Sequence, residues 1–258
     1  MELLTSAQNP KVKLLLELQQ KSSERRKHGL FVVEGRREIE RCIQSGYQVD
    51  SLFWCPEIYG GEELSTAGVH VYQVSTAIYN KVAYRGGTEG VIAEVKTREH
   101  TLQDLQLSDS PLVVVLERVE KPGNLGAILR SADAAGADAV IVCDPLTDLY
   151  NPNLMRSSTG AFFSVPCVAC SSSECIAYLK QHGIRILTAQ LQDSSLYYDT
   201  DMRQPTAIVM GTEATGLTDQ WRQAADAHIR IPMLGITDSL NVSVSAAILM
   251  FEAVRQRQ

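Results

Sequence analysis

The hydrophobic and polar positions change period several times along the chain, and each change predicts an element. From Asn9 to Lys27, Val12, Leu15, Leu16 and Leu18 recur at helical spacing, and Pro10 suits the first helical position, where a missing N–H costs nothing. Gly29 stops that helix, Leu30–Glu34 is a short apolar strand, and a second helix over Gly35–Ser45 is closed by Gly46. Strands are predicted at Val49–Cys55, Val69–Val74 and Gly90–Val95, with a helix over Thr76–Ala83. A polar stretch between Lys96 and Pro111 reads as a domain edge.

Beyond it the strands become stronger. Leu112–Leu116 is continuously apolar, as a strand covered on both faces should be. A loop leads to a helix over Leu125–Ala135 closed by Gly136, then to a strand at Ala139–Cys143 and a short helix opening at Asn151-Pro152. A strand at Phe162–Val168 precedes a helix capped by Ser171 and Glu174, which reaches Gln181. Ile184–Ala189, Ala207–Met210 and Ile229–Met233 complete the strands. A final helix, from about Leu240 to Arg255, is apolar on nearly every side and is predicted to bury against more than one neighbour.

This alternation places the chain in the α/β class. Residues 1–105 form a smaller α/β/α domain, and residues 106–258 a mostly parallel, Rossmann-like sheet of about six strands with helices on both faces. Such sheets bind ligands at the carboxyl ends of their strands. Composition agrees with a globular protein: hydrophobic residues make up 45% and charged residues 21%. No apolar run approaches the ~20 residues needed to span a bilayer, and the N-terminus lacks the pattern of a secretory signal, so no membrane partner and a cytoplasmic location are expected.

Net charge is −6, which alone argues against nucleic acid, yet the distribution is uneven. Residues 1–41 hold nine Lys/Arg against six Asp/Glu, leaving an acidic remainder. Arg25, Arg26, Lys27, Arg36 and Arg37 lead this basic cluster, which reads either as an RNA grip or as a solvated helix end. Six cysteines make no dense framework. Cys167 and Cys170 have CxxC spacing, but no second pair or histidine at ligand spacing accompanies them, so no metal is expected.

Three loops carry candidate chemistry. The first, Pro122-Gly123-Asn124-Leu125-Gly126-Ala127-Ile128-Leu129-Arg130, follows a buried strand and opens a helix, where backbone N–H groups point at ligands. Asn124 is a natural N-cap, and Arg130, among apolar neighbours, requires an anionic partner. The second, Gly211-Thr212-Glu213-Ala214-Thr215-Gly216, ends a strand; Gly211 suits close approach of a ligand, and Glu213 is either a helix-entry carboxylate or the partner of Arg130. The third runs from Ile231 through Pro232 and Met233 to Ser239-Leu240-Asn241-Val242-Ser243, with Asn241 either a displaced N-cap or a site residue.

Taken together, these loops resemble the three motifs of the SpoU/TrmH methyltransferases, S-adenosylmethionine-dependent enzymes that methylate ribose 2′-hydroxyls of RNA. Thr212 stands where that family usually has Asn or Ser, and Ala214 where it has Gly. The stretch FVVEGRREIERCIQSG with the later GVIAEV looks like the family's appended RNA-binding substrate domain. The resemblance implies a trefoil knot in the C-terminal domain and a homodimer built on it. It places S-adenosylmethionine against Thr188, Ala189, Gly211, Ile231, Met233, Leu240 and Val242. It assigns Asn124, Arg130, Glu213, Ser239 and Asn241 to the active site. A guanidinium stays charged at neutral pH, so Arg130 is expected to hold the target phosphate and stabilise the developing 2′-oxyanion rather than act as base. Ribosomal RNA is the favoured substrate; a transfer-RNA enzyme and a non-catalytic RNA-binding factor of the same fold are the alternatives.

Overall fold

The computed structural model describes residues 2–60, 68–84, 89–212 and 215–258. The chain divides into two compact units, Met1–Glu99 with Asp148–Phe163, and His100–Thr147 with Ser164–Gln258. The first opens with β1 (Glu2–Leu4), α1 (Pro10–Gln20), α2 (Ser22–His28), β2 (Leu30–Glu34), α3 (Arg36–Gln44), β3 (Val49–Trp54), β4 (His70–Val74), α4 (Thr76–Val82) and β5 (Val91–Lys96). A 3-10 turn at Leu102–Asp104 leads to β6 (Leu112–Glu117), α5 (Pro122–Ala135) and β7 (Ala139–Cys143) of the second unit. Helices α6 (Pro152–Ser158) and α7 (Ala161–Ser164) follow. The second unit then resumes with β8 (Cys167–Cys170), α8 (Ser172–Gln181), β9 (Arg185–Ala189), β10 (Ser195–Leu196) and β11 (Thr206–Met210). It ends with α9 (Asp219–Ala224), β12 (Ala227–Arg230) and α10 (Val242–Arg257).

In the first unit a mixed sheet runs β1-β4-β3-β5-β2, with β4 parallel to β1 and β3 while β5 is antiparallel to β3 and β2. Val12, Leu15 and Leu18 of α1 join Val32, Phe53 and Ile92 of the sheet in one core, which is where the helical spacing of those residues leads. The single helix expected over Asn9–Lys27 is two. Lys21 is extended (φ −122°), and the Arg25 guanidinium donates to the Leu18 and Gln19 carbonyls, which a continuing helix would have bonded itself. The segment Asp148–Phe163 packs here through aromatic rings: Phe31 lies 4.4 Å from Tyr150, and Tyr47 lies 5.3 Å from Phe163, centroid to centroid.

The second unit holds a seven-stranded sheet, β10-β12-β9-β11-β6-β7-β8, parallel at every pairing. Its central strands are buried end to end, matching their unbroken apolar sequences. Two strand boundaries differ from expectation. β8 starts at Cys167 rather than Phe162, because a left-handed Gly160 (φ 86°) turns Ala161–Ser164 into a helical turn. β12 ends at Arg230, just past Ile229, which pairs with Ala189 at the end of β9. Helix α10 packs on α5 and on the sheet, burying Val242, Ala246, Leu249, Met250 and Ala253. Its expected burial against more than one neighbour is met by α5 and the sheet, but it is not apolar-covered all round, since Val244 and Phe251 are each 47% exposed.

Candidate functional site

The carboxyl ends of β9, β11 and β12 open onto a cleft of about 360 Å³, within the ~300–1,000 Å³ range typical of small-molecule sites. Each wall comes from the segment that follows one strand, the place an α/β sheet leaves free for ligands. Ala189 and Gln190 follow β9; Gly211 and Thr212 follow β11; Ile231 and Met233 follow β12; Ser239, Leu240 and Val242 lead into α10. Of the seven residues expected to touch a cofactor, six line this cleft. Thr188 does not: it is fully buried, and its Oγ1 lies 2.6 Å from Nδ1 of His228 on the neighbouring strand, so its hydroxyl is spent on the sheet.

Gly211 is required by the chain's own backbone. A Cβ there would stand 2.3 Å from the carbonyl carbon and oxygen of Gly216 and 2.6 Å from the nitrogen of Leu217. The close approach expected at this glycine is therefore made first by the returning loop. Thr212 and Gly216 form an isolated bridge, with the Gly216 N–H donating to the Thr212 carbonyl at 3.0 Å. The Thr212 hydroxyl accepts from the Thr215 N–H at 3.0 Å and lies 2.8 Å from the Thr215 hydroxyl, which shows what a hydroxyl at this position does for the loop. Farther along, Thr218 is anchored by buried Glu117, which accepts from its N–H at 2.8 Å and its hydroxyl at 2.6 Å.

The cleft also holds an acceptor in need of a donor. Gln190 gives its Nε2 to the Gln192 carbonyl at 2.9 Å, while its Oε1 is buried without a partner among the described residues. An unpaired buried amide oxygen costs about 1–3 kcal/mol, a cost that a bound molecule bearing N–H or O–H groups would remove. S-adenosylmethionine carries such groups on its adenine, ribose and amino-acid ends, so the residues present fit it. Sequence reading missed Gln190, Gln192, Arg222 and Arg230, all of which line the cleft. The rule that pointed to the end of β9 reaches Gln190 if carried one residue further.

The expected catalytic residues are placed in three ways. Asn241 is the N-cap of α10, its Oδ1 accepting from the Ser243 N–H at 3.0 Å, while its Nδ2 donates to Asn124 Oδ1 at 3.2 Å. The capping reading of Asn241 holds, and the same amide also ties the start of α10 to the first turn of α5. Asn124 is not an N-cap, because α5 already begins at Pro122 with Lys121 in the cap position. Ser239 is exposed at the cleft, its hydroxyl 3.4 Å from Asp238.

Arg130 is exposed on α5, contrary to the enclosed position its apolar neighbours suggested. Ile128 and Leu129 turn inward and Arg130 outward, so the guanidinium needs no buried counter-ion, and it makes no ion pair among the described residues. Glu213, its expected partner, lies outside the described residues.

The basic cluster loses one member. Arg25 is 3% exposed, with its Nε 2.6 Å from Asp148, so it is part of the first unit's interior and not an RNA contact. Its place in the α1–α2 break explains why, since it must reach back to the carbonyls of α1. Arg26, Lys27 and Arg37 remain exposed, and Arg36 pairs with Glu40 at 2.7 Å. The CxxC pair also does not converge: in a strand, residues three apart point to opposite faces, and Cys170 gathers instead with Cys143 and Cys175.

Comparison with known proteins covers both units. The SpoU rRNA Methylase family model matches residues 111–251, and an MRM3-like substrate binding domain matches residues 9–93. The 23S rRNA (guanosine(2553)-2′-O)-methyltransferase RlmP of Bacillus subtilis is 30% identical over 97% of this chain and 98% of its own. An AdoMet-bound rRNA methyltransferase from Sinorhizobium meliloti superposes with a TM-score of 0.92 at 28% identity, covering 100% of this chain and 98% of its own. A solved RNA 2′-O ribose methyltransferase is 40% identical, with a TM-score of 0.84 and 99% coverage of both chains. With the cleft, its loops and the whole of both units accounted for, the chain belongs to the SpoU rRNA methylase family.

Proposed function

We propose that this chain transfers a methyl group from S-adenosylmethionine to a ribose 2′-hydroxyl of ribosomal RNA. The observation that carries the reading is the cleft at the ends of β9, β11 and β12, lined by Gln190, whose Oε1 has no partner among the described residues, and by Ala189, Gly211, Ile231, Met233, Leu240 and Val242. S-adenosylmethionine supplies an already activated methyl, so no metal is needed for the transfer. The protein's task is alignment, which is worth several kcal/mol when donor and acceptor are held in line. Asn241 caps α10 and binds Asn124 of α5, which ties the start of α10 to that helix, and Ser239 offers an exposed hydroxyl at the cleft. Exposed Arg130 grips the target phosphate and stabilises charge on the 2′-oxygen, with Glu213 orienting it.

Residues 1–105 serve as the substrate-recognition domain and 106–258 as the catalytic domain. The match of an MRM3-like substrate binding domain to residues 9–93 supports that assignment, as do the exposed Arg26, Lys27 and Arg37. The choice of ribosomal RNA rests on the two full-length relatives above whose names specify it. A cytoplasmic homodimer is part of the same reading, as is a knotted C-terminal domain. Exposed Val244 and Phe251 on α10, with Leu234 97% exposed, give the dimer an apolar face to cover. No helix among the described residues is long and apolar enough to cross a membrane.

The test is transfer of labelled methyl from S-adenosylmethionine to ribosomal RNA and to ribosomal particles, followed by mapping of the modified ribose. A stoichiometric 2′-O-methyl at one nucleotide is expected. Label in a base, or none in either substrate from a protein that binds the cofactor, overturns the proposal.

A further inference from the structure

We propose that Cys143, Cys170 and Cys175 form a three-thiolate site for a soft, thiophilic metal cation. The three Sγ atoms all lie within 4.8 Å of one another, and none is in a disulfide. They come from three elements of the second unit: Cys143 ends β7, Cys170 ends β8, and Cys175 lies in α8. Cys143 and Cys170 are paired across neighbouring parallel strands, which fixes their spacing through the backbone. The helix start is fixed as well, by the Ser171–Glu174 capping box.

The distances suit an ion with little rearrangement. A zinc-type cation holds sulfur at about 2.3 Å, which places three ligand sulfurs about 3.8–4.0 Å apart in tetrahedral or trigonal geometry. Closing from within 4.8 Å takes movements of well under an ångström per sulfur, within the reach of side-chain rotation. The donor set is all sulfur, with no histidine or carboxylate in the group among the described residues, which selects zinc-, cadmium- or copper(I)-like ions over magnesium or calcium. Cys143 and Cys175 are fully buried, while Cys170 is partly exposed and gives the ion its entry and any fourth, water ligand its place.

Binding releases up to three thiol protons to solvent, one from each cysteine, and changes no oxidation state. An ion here would lock the β8–α8 turn to β7. Ser172 in that turn donates to Asp144 at 2.6 Å, reaches Glu117 at 3.3 Å, and accepts the Trp221 Nε1–H at 3.1 Å. The site therefore braces the buried polar network that also anchors Thr218 behind the cleft.

Cadmium is the probe, because its thiolate complexes absorb in the near ultraviolet. Titration of the reduced full-length protein is expected to give a thiolate–cadmium band that saturates at one ion per chain. Cys170→Ser and Cys175→Ser should abolish it, and Cys167→Ser, which alters a buried cysteine outside the group, should leave it intact. In the wild-type protein, bound cadmium should protect Cys170 from alkylation, a measurement that needs no variant to fold. Absence of a band, a band that survives Cys170→Ser, or alkylation of Cys170 at an unchanged rate with cadmium present would each overturn the site.

Discussion

Gly211→Ala is a one-methyl perturbation whose outcome the geometry fixes. The new Cβ would meet the Gly216 carbonyl at 2.3 Å and the Leu217 nitrogen at 2.6 Å, whereas ordinary contacts begin at 3.4 Å. One backbone segment must therefore retreat by about 1 Å. Retreat stretches the Gly216-to-Thr212 hydrogen bond, now 3.0 Å, and the Thr215-to-Thr212 hydroxyl bond, also 3.0 Å. Overpacking of this kind costs about 1–3 kcal/mol, and each hydrogen bond lost adds about 0.5–1.5 kcal/mol. The strain falls on the loop that walls the cleft, so cofactor affinity should drop roughly tenfold to a hundredfold, at 1.4 kcal/mol per tenfold. Isothermal calorimetry with S-adenosylmethionine measures this directly. Gly235→Ala is the internal control, because a Cβ there meets nothing within 4 Å, and its affinity should match the wild type. A folded Gly211→Ala protein that binds the cofactor within threefold of wild type would refute the reasoning.

Three further outcomes follow from individual side chains. Arg130→Ala should abolish methyl transfer while leaving cofactor affinity nearly unchanged, and Arg130→Lys should also fail, because an ammonium cannot reproduce a bidentate grip; single-turnover kinetics with the Lys variant checks the fork. Joint replacement of Arg26, Lys27 and Arg37 should lower the slope of log affinity against log salt by about two units on single-stranded RNA, read by filter binding. Burial pushes the Glu94 carboxyl above its ordinary range, aided by Asp50 and opposed by a hydrogen bond from Ser51, and one of its oxygens has no partner among the described residues. A raised folded value means the stability is present at low pH and is lost as pH rises through that value, so Glu94→Gln should stabilise the protein by about 1–3 kcal/mol near pH 8 and little near pH 4, as thermal melts across pH would show.

The strands and most helices were legible because burial on both faces leaves unbroken apolar runs, as at Leu112–Leu116 and Ala139–Cys143. What escaped was decided by single side chains acting at a distance. Nothing near Lys21 announces a helix break; the break is stabilised by Arg25, whose other partner, Asp148, lies 123 positions away. The strand β1 pairs with β4, some seventy residues later, and is too short for its own period to declare it. The exposure of Arg130 is hidden in sequence because its apolar neighbours there are not its neighbours in space: the helix turns Ile128 and Leu129 to one side and Arg130 to the other.

The site residues themselves divide between shaping the loops and meeting the substrates. Gly211 is required by the backbone of Gly216, Thr212 closes its own turn, and Asn241 caps α10 with one atom while reaching Asn124 with another. A motif of this kind is recognisable in sequence chiefly because its backbone shape tolerates so few residue types. Shape alone transfers no methyl group, and the strongest charge in the proposed catalytic set is left on the surface, at Arg130, with no ion-pair partner among the described residues. An exposed guanidinium is spared the desolvation that a buried one would pay before binding. It follows that the first unit and Arg130 should contribute to RNA affinity in different ways: loss of surface cations such as Arg26 weakens binding across sequences in proportion to the charge removed, whereas loss of Arg130 acts at the one phosphate beside the reacting ribose and is felt in turnover.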